Sequence, residues 1–340
     1  MQKIIRGVLR RTVWAATGLA MSASLAQAAD QASLALDWII NGTHSGYFVA
    51  QAKGYYRDAG MDVVISRGFG SGDTVKRVGT GASMFGVADT STVIEARARE
   101  DVPVRIVAVV YGKAPLGIIY LAESKIKEPR DIMGKHIAHT ASGSSVVMFP
   151  AFLQANNIDR SKIEETVGDA NTLLPLLMSR RVDGVLGQTV HVERYKKIAE
   201  QQKLTVQSMN YSDYGLDAYG NAIIASADVI KNNPALVKRF VEASLKGVAY
   251  ALAHPTEAVE IVKKAYPETD ADVVKDEISE VTPVINTSEA QVKGIGYASE
   301  RRMKNTIELV TKALQLKRTL DVADVYDSSF QPKTPVLLKK

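Results

Sequence analysis

The 340-residue chain contains no cysteine. That absence excludes a disulfide framework, a thiolate nucleophile, a soft-ligand metal site and a lipid-modified cysteine as membrane anchor. Beyond residue 28 no run is long and apolar enough to cross a bilayer. A surplus of one charge is also missing. The formal net charge of +5 includes Lys3, Arg6, Arg10 and Arg11, and without these four the remainder stands at about +1. Elsewhere Lys and Arg are interspersed with Asp and Glu, and a short block such as Arg194 to Lys197 reads as a solvated helix face. Nucleic acid is therefore not an expected partner. Gly-x-Ser-x-Gly, Gly-x-x-x-x-Gly-Lys-Ser/Thr and His-Glu-x-x-His are all absent. No catalytic residue, metal site or cofactor is expected on these grounds.

What is present begins with a leader. Residues 1–28 have the three-part layout of a secretory signal: basic residues, an apolar or small run from Thr12 to Leu25, and the small-x-small site Ala26, Gln27, Ala28 before Ala29. Ser22 and Ser24 interrupt a run already short for a bilayer, which favours a cleaved leader over an anchor. Arg10 and Arg11 also suit a twin-arginine signal loosely, and ordinary secretion is the simpler reading. With no cysteine to carry a lipid, the mature protein is expected free in the periplasm of a Gram-negative cell.

The remaining residues are enough for two lobes. From Ala32 to Val110 apolar β-branched runs alternate with helical patterns, which predicts a parallel sheet with covering helices. The alternation restarts near Leu116 and continues to Leu186 as a second βα series. After one more strand, Ala222 to Ala225, the chain reads as helix almost to its end. Asn233 with Pro234, Pro255, and the Ser-x-x-Gln spacing of Ser288 to Gln291 mark helix starts, and one stripe predicts a long helix from Ala290 to about Leu316. This order predicts an α/β fold in which the chain crosses to a second lobe near Ala114 to Gly117 and returns near Ala218 to Asn221. Lobe 1 is then 29–115 with 222–340, and lobe 2 is 116–221. A cleft between such lobes is a natural small-ligand site.

Four turns following strands hold the candidate ligand contacts. Leu34, Leu36 and Trp38 alternate as a strand, and Asn41, Gly42, Thr43, His44 and Ser45 form the turn before a helix that begins near Tyr47. Trp38 in a strand is commonly core, but beside Asn41 and His44 it is placed to stack on a flat ring while amide and imidazole select its nitrogens. Asp89 and Thr90 follow the strand Met84 to Ala88, where they also suit an ordinary helix cap. Ser142, Gly143, Ser144 and Ser145 repeat that arrangement in the second series and offer N–H and O–H donors to a ligand. Gln188 and Glu193 follow the next strand; a carboxylate there would accept from an amino group and a ring N–H, or would lie on a helix surface near Arg194 and Lys196. Tyr219, beside the return crossing, is the tyrosine placed to close over a ring.

These residues bring out a resemblance. LDWIINGTHSGYFVAQAKGYYRDAGMDV (36–63) looks like the opening motif of the ABC-importer substrate-binding proteins related to thiamine-pyrimidine synthases. FGVADTSTVIEARA, DIMGKHIAHTASGSS, RRVDGVLGQTVHVE and KNNPALVKRFVEASLKGVAYALAHPTEAVEI look like further segments of it, so the resemblance covers nearly all of the chain after the leader. It implies the type-II periplasmic binding protein fold, two α/β lobes joined by a two-segment hinge with the helical tail on lobe 1, and a monomeric receptor that hands its ligand to an inner-membrane permease. By the same resemblance Trp38 would stack on a thiamine-precursor pyrimidine or related heteroaromatic, Asn41 would bond to it and Glu193 would hold its amino edge. Relatives in this family take sulfonates, nitrate, riboflavin or aromatic acids, which stand as alternatives. The enzymatic cousins place a histidine where His44 stands, but they carry a cysteine-rich iron motif and are intracellular, so a pyrimidine synthase is the disfavoured alternative.

Overall fold

The computed structural model describes residues 29–338, so the leader read from residues 1–28 lies outside the described residues. Ten strands form two five-stranded sheets. In the first, β1 (Asp30–Ala35), β2 (Met61–Ser66), β3 (Phe85–Asp89) and β4 (Val104–Val109) come from the first βα series. The second holds β5 (Leu116–Leu121), β6 (His136–His139), β7 (Glu164–Val167), β8 (Gly184–Gln188) and β9 (Val206–Asn210). The chain then returns, and β10 (Asn221–Ser226) completes the first sheet. The orders are β2-β1-β3-β10-β4 and β7-β6-β8-β5-β9. This is the two-lobed periplasmic binding protein fold.

The four strands of residues 32–110 run parallel to one another as expected, but neither sheet is parallel throughout. Within the first sheet β10 runs antiparallel to both β3 and β4, and in the second β5 runs antiparallel to both β8 and β9. The cause is the crossing itself. A strand that arrives from the other lobe enters at the end where the parallel strands finish, so it must run back along them. The two crossing segments are tied to one another: the Ala114 amide donates to the Ala218 carbonyl at 2.9 Å, and the Gly220 amide to the Tyr111 carbonyl at 3.0 Å.

The edge strand β9 was not anticipated, because Val206–Asn210 mixes polar and apolar residues without an apolar run. The long helix expected from Ala290 to Leu316 is two helices, Ser288–Lys293 and Glu300–Ala313. Between them Gly294 and Gly296 sit at φ of 94° and 93°, outside the helical region. The first of the two is capped by Thr287, whose side chain accepts from the Ala290 amide, rather than by Ser288. Elsewhere the start signals hold, with Asn233 capping Pro234–Ala253 and Pro255 opening the next helix. No helix among the described residues is long and apolar enough to span a membrane.

The first lobe's core centres on stacked rings. Phe240, on the helix Pro234–Ala253, lies 3.8 Å from Phe85 and 5.5 Å from Tyr56 by ring centroids, and all three are buried. Each such ring contributes roughly 1.5–3 kcal/mol by leaving water. This packing fixes the helix on β3 and, through Tyr56, the segment that follows the Ser45–Ala52 helix.

The segment after β1 is held by the loop after β2 and by one carboxylate. Gly70 donates its amide to the Asp37 carbonyl at 2.7 Å, and Gly68 to the Trp38 carbonyl at 3.0 Å. Asp37 is 5 % exposed; its Oδ1 lies 2.8 Å from His44 Nε2, and its Oδ2 accepts from Asn221 Nδ2 at 2.8 Å. One side chain thus joins the end of β1, the turn before the first helix and the returning strand β10. Burial alone would raise the Asp37 pKa, but the His44 hydrogen bond and charge and the Asn221 bond outweigh it, and the pKa falls below its ordinary value.

A depressed pKa fixes the sign of the linkage. The stabilisation is fully present above the unfolded-state value near 3.8 and is lost as pH falls through the lower folded-state value. Replacing Asp37 with Asn should cost about 3 kcal/mol in urea denaturation near neutral pH. The gap between variant and parent should close as pH drops below about 4. A gap that stays constant down to about pH 3 would show that the carboxylate charge is not its source.

Candidate ligand cleft between the lobes

The loops that follow the parallel strands of both sheets converge on one cavity of about 360 Å³. Asp37, Trp38 and Asn41 reach it after β1, and Gly70 and Ser71 after β2. From the second sheet come Thr140, Gly143, Ser144 and Ser145 after β6, Ala170, Asn171, Leu173, Leu174 and Pro175 after β7, and Gln188, His191, Arg194 and Tyr195 at and after β8. Carboxyl ends of strands are where open α/β sheets bind ligands, because free amides at helix starts point there.

The lobes are drawn together around this cavity. Ser142 Oγ donates to the Phe69 carbonyl at 2.7 Å, and the Gly72 amide to the Ser142 carbonyl at 3.1 Å. Gly70 makes this approach feasible: its φ is 122°, and a Cβ there would lie 2.5 Å from Ser142 Oγ. On the other side Gln188 Nε2 donates to Asn221 Oδ1 at 3.1 Å, and His191 Nδ1 lies 3.3 Å from Glu277 Oε1. Lys197 adds an outer ion pair to Asp270 at 2.8 Å.

The anticipated contacts divide into two groups. Trp38, Asn41, Gly143, Ser144, Ser145 and Gln188 line the cavity. Trp38 is half-buried, while the Asn41 amide is engaged in its own turn, with Oδ1 accepting from the Thr43 amide at 2.9 Å and Nδ2 donating to the Ile39 carbonyl at 3.0 Å. The other six do not line it. His44 is 2 % exposed and stands behind Asp37, because its imidazole is the partner that makes a buried carboxylate tolerable. Asp89 caps the helix Thr90–Glu100, and burial lifts its pKa to about 6. Thr90 Oγ1 donates to the Gly220 carbonyl at 2.6 Å, tying the cap to the return crossing.

Ser142 serves the interlobe contact already described. Tyr219 is fully buried, where its hydroxyl donates to Glu289 Oε2 at 2.6 Å and accepts from the Ser299 amide at 3.0 Å. It thereby holds the tail on the hinge instead of closing over a ligand. Glu193 pairs with Lys196 at 2.6 Å, one turn along its own helix. Helical geometry explains its absence: His191, Arg194 and Tyr195 share a face by their i, i+3, i+4 spacing, and Glu193 is turned about 100° from Arg194.

Several cavity residues had not been singled out. Tyr195 presents an aromatic ring from lobe 2, and burial keeps its phenol protonated, with the pKa pushed up to about 12. Glu277, on the helix Ala271–Ile285, is 1 % exposed, and its Oε2 accepts from the Gly42 amide at 2.7 Å. One signal for it does exist in the sequence. Val274, Ile278, Val281 and Ile285 form that helix's buried stripe, and Glu277 is the carboxylate set among them.

Known proteins share this build. A riboflavin-binding protein, RibY, of Chloroflexus aurantiacus is 27% identical over 310 residues, covering 89% of this chain and 86% of that protein. A formylaminopyrimidine-binding protein of Halalkalibacterium halodurans is 24% identical, covering 75% of this chain and 76% of its own. The 4-amino-5-hydroxymethyl-2-methylpyrimidine phosphate synthase of Legionella pneumophila is likewise 24% identical, with 89% of this chain and 93% of that protein covered. Among solved structures, the alkanesulfonate-binding protein SsuA of Xanthomonas axonopodis pv. citri bound to MOPS superposes with a TM-score of 0.67 at 14% identity, over 87% of this chain and 98% of that one. The pattern of the NMT1/THI5-like family matches residues 41–258, from the turn before the first helix through the returning strand and into the helical tail, and the chain belongs to that family.

Proposed function

We propose that the protein is the solute-binding component of an ABC importer, resident in the periplasm, that captures a small flat polar molecule between its lobes and delivers it to an inner-membrane permease. A thiamine-precursor pyrimidine or a related heteroaromatic is the favoured ligand, and the receptor acts as a monomer without chemistry of its own. Lobe 1 (29–115 with 222–340) and lobe 2 (116–221) are the two jaws. The observation that carries this reading is the cavity of about 360 Å³, lined from both lobes and bearing one aromatic side chain from each, Trp38 and Tyr195. An aromatic face on each side suits a ring better than it suits a small inorganic ion.

Support for binding without catalysis comes from how the polar groups are used. Both Asp37 oxygens and both Glu277 oxygens have protein partners. His44, the histidine that an enzymatic reading would need, does not line the cavity. The names of the riboflavin-binding and formylaminopyrimidine-binding relatives point the same way, and the synthase relative marks the alternative that a binding assay separates from this one. Ligand contacts made from both jaws at once would offset the cost of closure, so binding selects the closed form that a permease reads.

Trp38→Ala should weaken ligand binding by roughly 1–3 kcal/mol in calorimetry, with thermal stability of the unliganded protein little changed because the side chain is only half-buried. Unaltered affinity would remove Trp38 from the site. A thermal-shift screen over pyrimidines, thiamine, riboflavin, sulfonates, nitrate and aromatic carboxylates should return a heteroaromatic hit. At a hundredfold excess over its Kd such a ligand adds about 2.7 kcal/mol to the unfolding free energy. A hit confined to alkanesulfonates or nitrate would transfer the receptor to that ligand class.

A further inference from the structure

Gly117 of β5 and Gly187 of β8 are partners across the antiparallel strand pair of the second sheet. A glycine inside a strand weakens it, and it commonly marks a place where another backbone or a ligand comes close. For Gly117 the reason lies inside the protein, since a Cβ there would stand 2.1 Å from the Met209 carbonyl oxygen. Gly187 has no such neighbour among the described residues. Its φ is not positive, and a Cβ there would meet only Ile119 Cδ1, at 3.9 Å, an ordinary contact. What adjoins Gly187 instead is the cavity, which it lines.

The surroundings of that opening are apolar. Ile119 lies on the Gly187 face of the sheet by strand alternation, because its direct partner on β8 is Val185. Ile119 and Leu173 belong to one buried apolar cluster, against which Leu174 and Tyr195 pack. All four line the cavity, with Pro175 beside them, and Leu173, Leu174 and Pro175 come from the helix Ala170–Met178. Among these five side chains the Tyr195 hydroxyl is the only polar group. A hydrogen-bonding substituent placed against them would lose water without gaining a partner, whereas a methyl group or a fused carbocycle gains by leaving water.

We propose that the ligand's ring carries an apolar edge, either methyl groups or a fused benzene ring, and that this edge occupies the corner of lobe 2 formed by Gly187, Ile119, Leu173 and Leu174 beside Tyr195. This rests on the ring-receptor reading and narrows it, from flat polar molecules in general to alkylated or benzo-fused heteroaromatics. Gly187 is then a specificity residue that sets the depth of the corner, and Leu174 one that sets its polarity.

The test uses pairs that differ only in edge methyl groups, namely 4-aminopyrimidine and 4-amino-2-methylpyrimidine, lumazine and 6,7-dimethyllumazine, and alloxazine and lumichrome. Each is titrated calorimetrically into the parent protein, Gly187→Ala, Gly187→Val and Leu174→Asn. In at least one pair the methylated member should bind the parent roughly fourfold tighter for each methyl group buried. Gly187→Val should weaken that member by about tenfold or more, and Gly187→Ala by less. Neither should lower the urea midpoint, since a Cβ at 187 displaces no protein atom. Leu174→Asn should bring the two members of the pair to within about twofold of each other. If the unmethylated members bind the parent as well as the methylated ones, or if Gly187→Val keeps the methyl preference, the inference is overturned and the ring receptor stands. If no compound of the series binds the parent, the ring-receptor reading itself falls, and the inference with it.

Discussion

The carboxylate of Asp37 is the constraint on which the remainder of the site depends. It stands at the end of β1 and is nearly closed off from water, where an unpaired charge is not sustainable. His44 and Asn221 each supply a donor, one from the first βα series and the other from the start of the returning strand β10. Satisfying one buried charge therefore ties together the turn before the first helix and the entry of β10 beside β3. The aromatic stack around Phe240 adds cohesion to the lobe, but burial of apolar surface is non-directional. Hydrogen bonds to a charged group are directional, and here they convert packing into geometry.

Closure relies on contacts of modest individual strength. The Ser142 bonds to Phe69 and Gly72, the Gln188–Asn221 bond and the His191–Glu277 contact each join a loop of one lobe to a residue of the other. The same loops line the cavity, so whatever occupies it and whatever holds the jaws together are mechanically one system. Gln188 shows this most directly, since it lines the cavity and donates to the Asn221 that also serves Asp37. Two hydrogen bonds thus connect the cavity wall to the start of the returning strand.

Much of this was legible in the sequence because the βα alternation follows from burial on two faces, and such strands announce themselves as apolar β-branched runs. The helix starts at Pro234 and Pro255 were legible for the same kind of local reason. The misses share a different cause. Strand direction in a mixed sheet depends on where the chain enters, which no local pattern records. Buried apolar residues continue across Gly294 and Gly296, from Ala290 through Ile295 to Met303 and Ile307, so periodicity overran the break. At the site, His44, Glu193 and Tyr219 are chemically suited to a ligand and spatially occupied elsewhere. Arg194 and Tyr195 follow Glu193 directly in sequence, and which of the three turns inward is set by the docking of the helix, which no local pattern records.

The place of β10 has a consequence for the life of the chain before it is folded. Because β10 separates β3 from β4, the first sheet lacks an interior strand until residues 221–226 have been made, although its other four strands end at residue 109. Half-finished, lobe 1 would present two open sheet edges, Phe85–Asp89 and Val104–Val109, and a stack with no Phe240 to complete it. Lobe 1 therefore cannot settle as it emerges, whereas the second sheet has all five of its strands by residue 210. The first lobe stays open until most of the chain exists, a physical state in which that part of the polypeptide can still be threaded through a narrow channel.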